Sequence, residues 1–324
     1  MRYIFLLFLT VGLFWQTTYG QQPAQYSLYF MNKLNWNPAY AGLDHSLSIT
    51  GAYRKQWVDL AGSPTTQNIN MHMPLYLLGG GIGINVENDE IGAERIATAT
   101  LSYNYQMQVG SGILSMGLAG GLVQRTLNGD ELRTATGNYD PNDPGIIDHN
   151  DDILPLGTET GSVSTFHAGV YYQSEKVEGG FSVKNITEPT AAVGNLNLDL
   201  ARNYFFLLGF NFDVGRTLTF HPSLMARSDF VETQVDFSAI VKYNDNIFGG
   251  ASFRGYSSNS IDAAAIILGF NLSQNITLAY AYDLTLSELS SVSNGSHEVM
   301  INYNLNKRIG AGRPPRIIYN PRAL

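Results

Sequence analysis

Polar and apolar residues alternate along the segment 96–109, which reads Ile-Ala-Thr-Ala-Thr-Leu-Ser-Tyr-Asn-Tyr-Gln-Met-Gln-Val. Successive side chains of a β-strand point to opposite faces, so this segment predicts one apolar face and one polar face. The run is about twice as long as an ordinary strand of a soluble sandwich. A strand that crosses a bilayer obliquely needs roughly 9–11 residues, so the pattern predicts a membrane-spanning strand.

Similar alternating segments recur to the end of the chain and predict about fourteen strands. A single-chain outer-membrane barrel has an even number of strands, and closure pairs the edges that an open sheet leaves exposed. The sequence therefore predicts an all-β fold, a transmembrane antiparallel barrel over residues 47–305. The strands are expected near 47–58, 66–73, 80–88, 95–109, 112–125, 163–174, 177–184, 202–213, 216–229, 231–243, 246–256, 260–272, 275–284 and 297–305.

The connections between these strands alternate between tight turns and a set that includes the long loops. Gly110-Ser-Gly112 is one of the tight turns, and the long loops are 126–162, 185–201 and 285–296. Bacterial outer-membrane barrels have short periplasmic turns and longer extracellular loops. With an even number of strands, both termini are then expected in the periplasm.

The composition favours a barrel with lipid outside and water inside over a soluble globule. Charged residues make up 14% of the chain, against about 25% in typical soluble domains. A soluble β-sandwich is the alternative, but two packed sheets rarely need strands of this length. The net charge of −8 gives no indication of nucleic-acid binding.

Residues 1–20 have the features of a secretory signal peptide. Arg2 supplies the positive start, residues 4–15 the apolar core and Thr18-Tyr-Gly20 a small-residue cleavage site. The core is shorter than the roughly 20 apolar residues of a membrane helix, so we expect cleavage before Gln21 rather than an anchor. The chain has no cysteine, and therefore neither a disulfide framework nor a site for a bacterial lipid anchor.

The tail that follows the last strand, 306–324, contains five basic residues, three prolines and no acidic residue. Proline lacks a backbone N–H and breaks strand pairing, so the tail cannot continue the barrel wall. By topology it lies in the periplasm. Two interpretations stay open, a disordered end and a segment that docks onto a periplasmic partner.

The loop 126–162 is the longest connection and carries eight acidic residues against a single base. Its runs 140–145 and 148–152 are similar to calcium loops, which place oxygen ligands at alternate positions. The match is poor because Pro144 stands at a ligand position and Ile153 replaces the turn glycine. We expect a solvated acidic loop and no cofactor, with a Ca²⁺ site within 140–152 as the weaker alternative.

The residue types of known catalytic sites are absent from the sequence or dispersed along it. There is no cysteine nucleophile, phosphate loop, Gly-x-Ser-x-Gly elbow or histidine pair at metal-ligand spacing. The six histidines are scattered, and each is interpreted as structural or solvated. We therefore expect neither an enzyme nor a metal site.

One charged cluster follows from the strand phases. On the first strand Arg54 falls on the lumen face, while Tyr53 and Trp57 fall on the lipid face. On the last strand Glu298 faces the lumen near the same outer rim, and the first and last strands of a closed barrel are neighbours. We expect Arg54 and Glu298 to pair across the seam with Asp283 close by, because arginine and carboxylate are geometrically well matched. The alternative is that the two charges face the lumen without contact. If the pair forms, a charge reversal at either position should impair folding or surface assembly, and exchanging the two residues should restore it.

A series of short motifs stands in order along the chain after residue 20. They include Gln25-Tyr-Ser27, Asn37-Pro-Ala-Tyr-Ala-Gly42, Tyr53-Arg-Lys-Gln-Trp57, Gly62-Ser-Pro64, Tyr280-Ala-Tyr-Asp283, Gly295-Ser-His-Glu298 and Arg313-Pro-Pro-Arg316. With these motifs the chain resembles the PorP/SprF family, outer-membrane proteins of the type IX secretion system of Bacteroidetes. Motif residues with an expected structural or partner-binding role are Asn37, Pro38, Ala39, Tyr40, Ala41, Gly42, Gln56, Trp57, Pro64 and His297.

The resemblance implies a FadL-like barrel in the outer membrane and a non-enzymatic role in exporting or anchoring a secreted protein. The implied partners are the type IX translocon, periplasmic peptidoglycan-linked components and a surface cargo with a C-terminal sorting domain, such as an adhesin used in gliding motility. The outward loops would hold the cargo, and the tail would face the periplasm through Arg313, Pro315 and Arg316. The acidic residues of the loop that would face the cargo are Asp140, Asp143, Asp148, Asp151 and Asp152.

The segment 21–46 precedes the first strand, and its Asn37–Gly42 motif is expected to line or plug the periplasmic mouth. A turn into the barrel, shaped by Pro38 and Gly42, is the alternative for this motif. For the whole protein, the main alternative is a FadL-like channel for small or hydrophobic solutes.

Overall fold

The alternating segments form a ring of hydrogen-bonded strands. The structure, a computed structural model, describes residues 23–139, 147–255 and 261–309. Its main sheet is antiparallel throughout, and the first strand pairs with the last as well as with the second. The sheet has fifteen strand segments, two of which are one strand interrupted at Asn211, so the closed barrel has fourteen strands.

The bounds of the barrel strands agree with the predicted segments to within a few residues at most ends. The first seven are β1 (Ser48–Lys55), β2 (Thr65–Leu75), β3 (Gly80–Ile91), β4 (Glu94–Val109), β5 (Gly112–Asn128), β6 (Thr158–Gln173) and β7 (Val177–Lys184). The others are β8 (Asn203–Phe210, continued as Phe212–Val214), β9 (Leu218–Ser228), β10 (Thr233–Tyr243), β11 (Ile247–Gly255), β12 (Ile261–Asn271), β13 (Ile276–Thr285) and β14 (Ser296–Asn304).

Within residues 23–139, 147–255 and 261–309, helical structure is limited to single turns. They are α1 (Lys33–Trp36) and the 3₁₀ turns Pro38–Tyr40, Tyr76–Leu78, Gly129–Glu131 and Glu288–Ser291. None of the helices within the described ranges is long and apolar enough to cross a membrane. Two small hairpins lie in the long loops, Asn138–Tyr139 with Ile147–Asp148 and Thr190–Val193 with Leu196–Asp199.

The barrel has two unlike ends. At one end, called the turn end, six connections of two to four residues join neighbouring strands, and here β1 begins and β14 ends. The opposite end, called the loop end, carries the long connections 129–157, 185–202 and 286–295. This separation of short turns from long loops is the one expected of an outer-membrane barrel.

The two faces of β4 are those that the alternation predicts. Its polar residues face the lumen and are buried, namely Thr100, Ser102, Asn104 and Gln106. Its large apolar residues lie on the outer surface, with exposed fractions of 55% for Leu101, 40% for Tyr103 and 53% for Tyr105. An apolar outer band is the surface that a barrel presents to lipid.

Two details of the sequence prediction are wrong. The first strand ends at Lys55, so Trp57 is not part of its lipid face; it has a left-handed φ of +44° in the following turn. The acidic loop is shorter than predicted, because β5 continues to Asn128 and β6 begins at Thr158. The added residues, such as Thr158-Glu-Thr-Gly-Ser162, lack apolar alternation, although they pair in register with β5.

Candidate functional site

The lumen is filled by the segment that precedes β1, and residues 23–46 are here called the plug. Every plug residue from Tyr26 to Leu43 is buried except Met31, which is half-buried. The plug runs along the lumen, from charged residues near the loop end to the turn end, where β1 begins. The Asn37–Gly42 motif, which the sequence predicts to line or plug the periplasmic mouth, contacts Gly81 and Asn104 near the turn end.

Aromatic side chains of the plug form an apolar core with the inner wall. The Tyr26 and Trp36 rings meet edge to face with centroids 5.4 Å apart, and Trp36 lies 5.4 Å from the Phe205 ring of β8. Phe248 of β11 and Ile267 of β12 also belong to this core, and both are buried. The sequence prediction of a water-filled lumen is wrong for this part of the barrel, since these apolar side chains point inward.

The Asn37–Gly42 motif is held by hydrogen bonds to five wall strands, including β2, where His72 Nδ1 accepts from the Gly42 N–H at 3.1 Å. The Asn37 side chain accepts from the Ala39 N–H at 2.9 Å and donates to the backbone oxygens of Val170 and Phe181. Asn104 of β4 donates to the carbonyl oxygens of Ala39 and Ala41, at 2.7 and 2.6 Å. Ser115 of β5 also donates to the Ala39 oxygen, at 2.6 Å. Backbone groups that would otherwise be buried without partners are satisfied in this way.

Glycines of the inner wall make room for this motif. A Cβ atom on Gly117 of β5 would lie 2.5 Å from the Ala39 nitrogen, and one on Gly81 of β3 would lie 2.1 Å from the Ala41 oxygen. Within the motif, Gly42 has a backbone φ of +72°, a conformation that residues with a side chain rarely adopt. The motif and the wall glycines thus fit one another sterically.

Tyr40 connects the motif to the turn end of the lumen. Its hydroxyl donates to Asp44 Oδ1 at 2.7 Å, and its ring meets those of Tyr171 and His72 edge to face. Burial, together with the Asp44 charge, raises the pKa of Tyr40 well above its ordinary value. The phenol therefore stays protonated and remains a donor to Asp44.

A second attachment of the plug lies at Lys33. Its Nζ is 2.6 Å from Glu178 Oε2, and both side chains are buried. The Tyr171 hydroxyl donates to the same carboxylate at 2.7 Å. A buried charge pair is tolerated when its remaining hydrogen-bonding capacity is also satisfied.

The third attachment, at Ser27, meets the charged residues that the strand phases place at the seam. Arg54 Nη1 lies 2.9 Å from Glu298 Oε2, and Arg54 Nη2 lies 2.7 Å from Asp283 Oδ2. The Ser27 hydroxyl donates to Asp283 Oδ1 at 2.7 Å, and the Ser27 and Leu28 N–H groups donate to Glu298. The seam residues therefore bind the plug as well as each other.

The seam pair is part of a longer row of alternating charges along the inner wall. Arg254 of β11 contacts Asp283 at 3.1 Å and Asp236 of β10 at 2.6 Å, and Arg227 of β9 lies 3.6 Å from Asp236. Asp283 and Arg254 lie on either side of β12 and meet across it because the β12 residues between them are small. Ala265 is the register partner of Asp283, and Ala263 is the register partner of Arg254. The row, here called the charged row, consists of Glu298, Arg54, Asp283, Arg254, Asp236 and Arg227.

Sequence reasoning missed the second half of the charged row and the role of Ser27. The strand phase could have found Arg254 and Asp236, since they lie opposite each other in register on neighbouring strands and both face the lumen. Ser27 carries no such signal because it precedes the first strand. Only its place in the motif Gln25-Tyr-Ser27 marks it.

The loop end is closed over one half of the barrel by the hairpin Thr190–Asp199. Ala191 and Val193 of this hairpin pack on Val123 of β5 in a small apolar cluster. Arg125 pairs with Glu94 and donates to the Asp199 carbonyl oxygen at 3.1 Å. The hairpin is thereby attached to the inner wall by both apolar and polar contacts.

Over the other half of the loop end lies a cavity of about 780 Å³, here called the vestibule. Charged-row residues Arg54, Asp283 and Arg254 line it, and Gln25 of the plug borders it as well. Two motif residues, Gln56 and Trp57, also line the vestibule, so Trp57 faces this cavity instead of the lipid that the strand phase predicted.

The remaining predicted residues lie apart from this site. The Pro64 carbonyl accepts from the Gln56 N–H at 2.9 Å, and His297 contacts Tyr280 at 2.6 Å. Asp148, Asp151 and Asp152 are exposed, and the part of the chain with assigned positions contains no cluster of three or more metal-ligating residues. A solvated loop stays the prediction for 140–152, with a Ca²⁺ site as the weaker alternative. Outside the described residues lie the predicted signal peptide 1–20 and the predicted residues Asp140, Asp143, Arg313, Pro315 and Arg316.

A comparison with known protein families gives a match that covers almost the whole barrel. The sequence model of a family described as "Type IX secretion system membrane protein PorP/SprF" matches residues 18–303. No curated protein sequence matches the chain.

Several solved structures share the barrel fold at low sequence identity. The Ralstonia pickettii toluene transporter TbuX is 12% identical, with a TM-score of 0.49 over 88% of this chain and 94% of that chain. Omp33, an outer membrane protein of Acinetobacter baumannii, is 7% identical, with a TM-score of 0.45 over 82% of this chain and 100% of that chain. At these values the likeness extends to the fold and not to what those proteins bind.

Proposed function

Because this chain belongs to the PorP/SprF family of type IX secretion system membrane proteins, we propose that it binds a secreted protein and helps to export or anchor it at the cell surface. The protein is an outer-membrane β-barrel, and membership of the secretion system implies other secretion components as partners. The proposed cargo is a surface protein, such as an adhesin, that carries a C-terminal sorting domain. The proposed role is one of binding and requires no catalytic group.

The observation that carries this proposal is the filled lumen with a cavity at one end. The plug is attached at Ser27, Lys33 and Asn37, and its side chains are buried along the barrel interior. The vestibule lies at the loop end, and long loops face outward in outer-membrane barrels. A partner held there would be at the cell surface.

The same feature disfavours a FadL-like channel for small or hydrophobic solutes. Such a channel needs a continuous passage through the barrel or through its wall. The plug residues 26–43 occupy the lumen with buried aromatic and charged side chains, so a solute could pass through the lumen only if the plug moved.

The turn end is proposed to face periplasmic components, including a peptidoglycan-linked protein. The chain leaves the barrel at this end after β14, where the Lys307 N–H donates to Ser46 Oγ at 3.3 Å. The basic tail continues from this point, and its Arg313, Pro315 and Arg316 are the proposed contacts.

Purification of the tagged protein from native outer membranes tests the proposal. We expect mass spectrometry to identify a secreted protein and at least one type IX component. Conductance of the purified barrel in a planar bilayer provides the comparison with a channel, and we expect the wild type to stay closed. An open barrel that retains neither kind of partner would contradict the proposed function.

A further inference from the structure

The vestibule has the size and position of a binding site. Its volume, about 780 Å³, falls within the roughly 300–1,000 Å³ that is common for ligand sites. It is lined by the ends of β1, β11 and β13, by the β9–β10 turn and by the loop before β14. Its base is the charged row, so the floor of the cavity is formed by strands and buried ion pairs, and its upper part by loops.

The arginines at the base of the vestibule are already neutralised. Arg54 is paired with Glu298 and Asp283, and Arg254 is paired with Asp283 and Asp236. All of these side chains are buried. An anion entering the vestibule would therefore have to compete with carboxylates that already contact both guanidinium groups.

The upper wall of the vestibule carries only negative charge. Glu232, Asp262 and Glu288 line it, and within the described ranges no lysine or further arginine does so. The Asp262 carboxylate accepts one hydrogen bond, from Gln234 at 2.6 Å, and Glu288 is exposed. A cleft lined by charge of one sign attracts ligands of the opposite sign.

The upper wall also offers apolar surface, and the base holds one buried donor. Trp57, Val231 and Leu289 line the vestibule between the carboxylates, and Val231 is 57% exposed. The Arg54 Nε–H is buried and has no acceptor among the described residues. A peptide carbonyl or a water molecule could satisfy such a donor, since buried polar groups are nearly always hydrogen-bonded.

From this combination we propose that the vestibule binds an extended basic segment of the secreted partner, one in which lysine or arginine alternates with apolar residues. The basic side chains contact Asp262, Glu288 and Glu232, and the apolar side chains pack on Trp57 and Leu289. A segment with both kinds of side chain suits a cavity in which carboxylates and apolar side chains lie next to each other. This inference rests on the proposed function, because it names the chemistry of the cargo at that site.

Binding of synthetic peptides to the purified full-length barrel tests the inference without knowledge of the cargo. The probe alternates lysine with valine, and the matched controls replace each lysine by glutamate or by glutamine. We expect the lysine peptide to bind, with an affinity that falls as salt is added, and the glutamate peptide not to bind. Equal binding of the three peptides, or binding that salt does not change, would overturn the inference.

Two double variants with isosteric substitutions test whether the lysine peptide binds in the vestibule. We expect the double variant D262N/E288Q to bind the lysine peptide about tenfold more weakly, since each partly exposed charge contributes modestly. The matched control, E175Q/D213N, removes two exposed carboxylates at the turn end and should bind as the wild type does. Unchanged binding by D262N/E288Q, with the heat-modifiable migration of a folded barrel, would exclude this site.

The two proposals fail in distinguishable ways. If the native barrel retains a secreted protein but the three peptides bind alike, the proposed function stands and the basic segment is wrong. If the lysine peptide binds as expected but no secreted protein is retained, the vestibule is a basic-peptide site and the proposed function is wrong.

Discussion

Arg54 Nη1 lies 2.9 Å from Glu298 Oε2 across the seam between β1 and β14, and neither side chain is exposed. Reversing either charge leaves two like charges in a buried site. We expect R54E or E298R to lower the free energy of unfolding by about 3–5 kcal/mol. Urea unfolding of the barrel in detergent, together with the yield of folded protein in the outer membrane, measures this loss.

The double exchange R54E/E298R should restore only part of that stability. Glu298 also accepts hydrogen bonds from the Ser27 and Leu28 N–H groups, which an arginine cannot accept. Sequence reasoning expected the exchange to repair either reversal because it treated the two residues as an isolated pair. A double exchange no more stable than either single variant would mean that Arg54 and Glu298 contribute independently.

The hydroxyl of Ser27 joins the plug to the charged row. It donates to Asp283 and accepts from Arg54 at 3.2 Å and from Arg254 at 3.0 Å. Removing it in Ser27→Ala leaves buried charged groups with fewer partners, so we expect a loss of about 1–3 kcal/mol in urea unfolding. Ser111→Ala, in the exposed β4–β5 turn, is the control and should unfold as the wild type does. Equal stability of the two variants would refute the attachment at Ser27.

Two glycines of β5 allow a matched test of how the plug is seated. A Cβ atom at Gly117 would lie 2.5 Å from the plug backbone at Ala39, whereas one at Gly120 would make an ordinary 3.4 Å contact with Phe166. We expect Gly117→Ala to destabilise the barrel by about 1–3 kcal/mol through overpacking, or to displace the Asn37–Gly42 motif. Gly120→Ala should do neither. Limited proteolysis of the plug and urea unfolding distinguish the variants.

Removal of the plug should turn the barrel into a pore. Small eight-stranded barrels are filled by their own side chains, but wider barrels enclose space, and residues 26–43 occupy that space here. We expect deletion of residues 24–41 to give ion conductance in planar bilayers, while the full-length barrel stays closed. If the deletion variant folds, as judged by heat-modifiable migration, and conducts no more than the wild type, the lumen is closed by other residues.

The wall of the barrel follows from the sequence, because strand periodicity assigns each side chain to one face. It locates β4 and places Arg54, Asp283 and Glu298 on the lumen side, where the structure brings them together. Applied to β10 and β11, the same reasoning would have found Asp236 and Arg254. Periodicity is informative there because the lipid imposes one apolar face on every strand.

The interior of the barrel could not be predicted in the same way. The plug forms no strand of the wall, so no two-residue period describes its path, and its contacts with Glu178 or Asn104 join residues far apart in the chain. Trp57 was wrongly placed on the lipid face, because the alternation of β1 was extended past Lys55, where the backbone turns. The vestibule depends on several loops together, and its shape is a property of the closed barrel alone.

Photo-crosslinking in living cells tests the central claim, that a secreted protein is held in the vestibule of a plugged barrel. A photoreactive amino acid replaces Ser287, which lines the vestibule, and in the control it replaces Glu175 at the turn end. We predict an adduct with a secreted protein from position 287 and none from position 175. No secreted protein linked to position 287, or the same adduct from both positions, would contradict the claim.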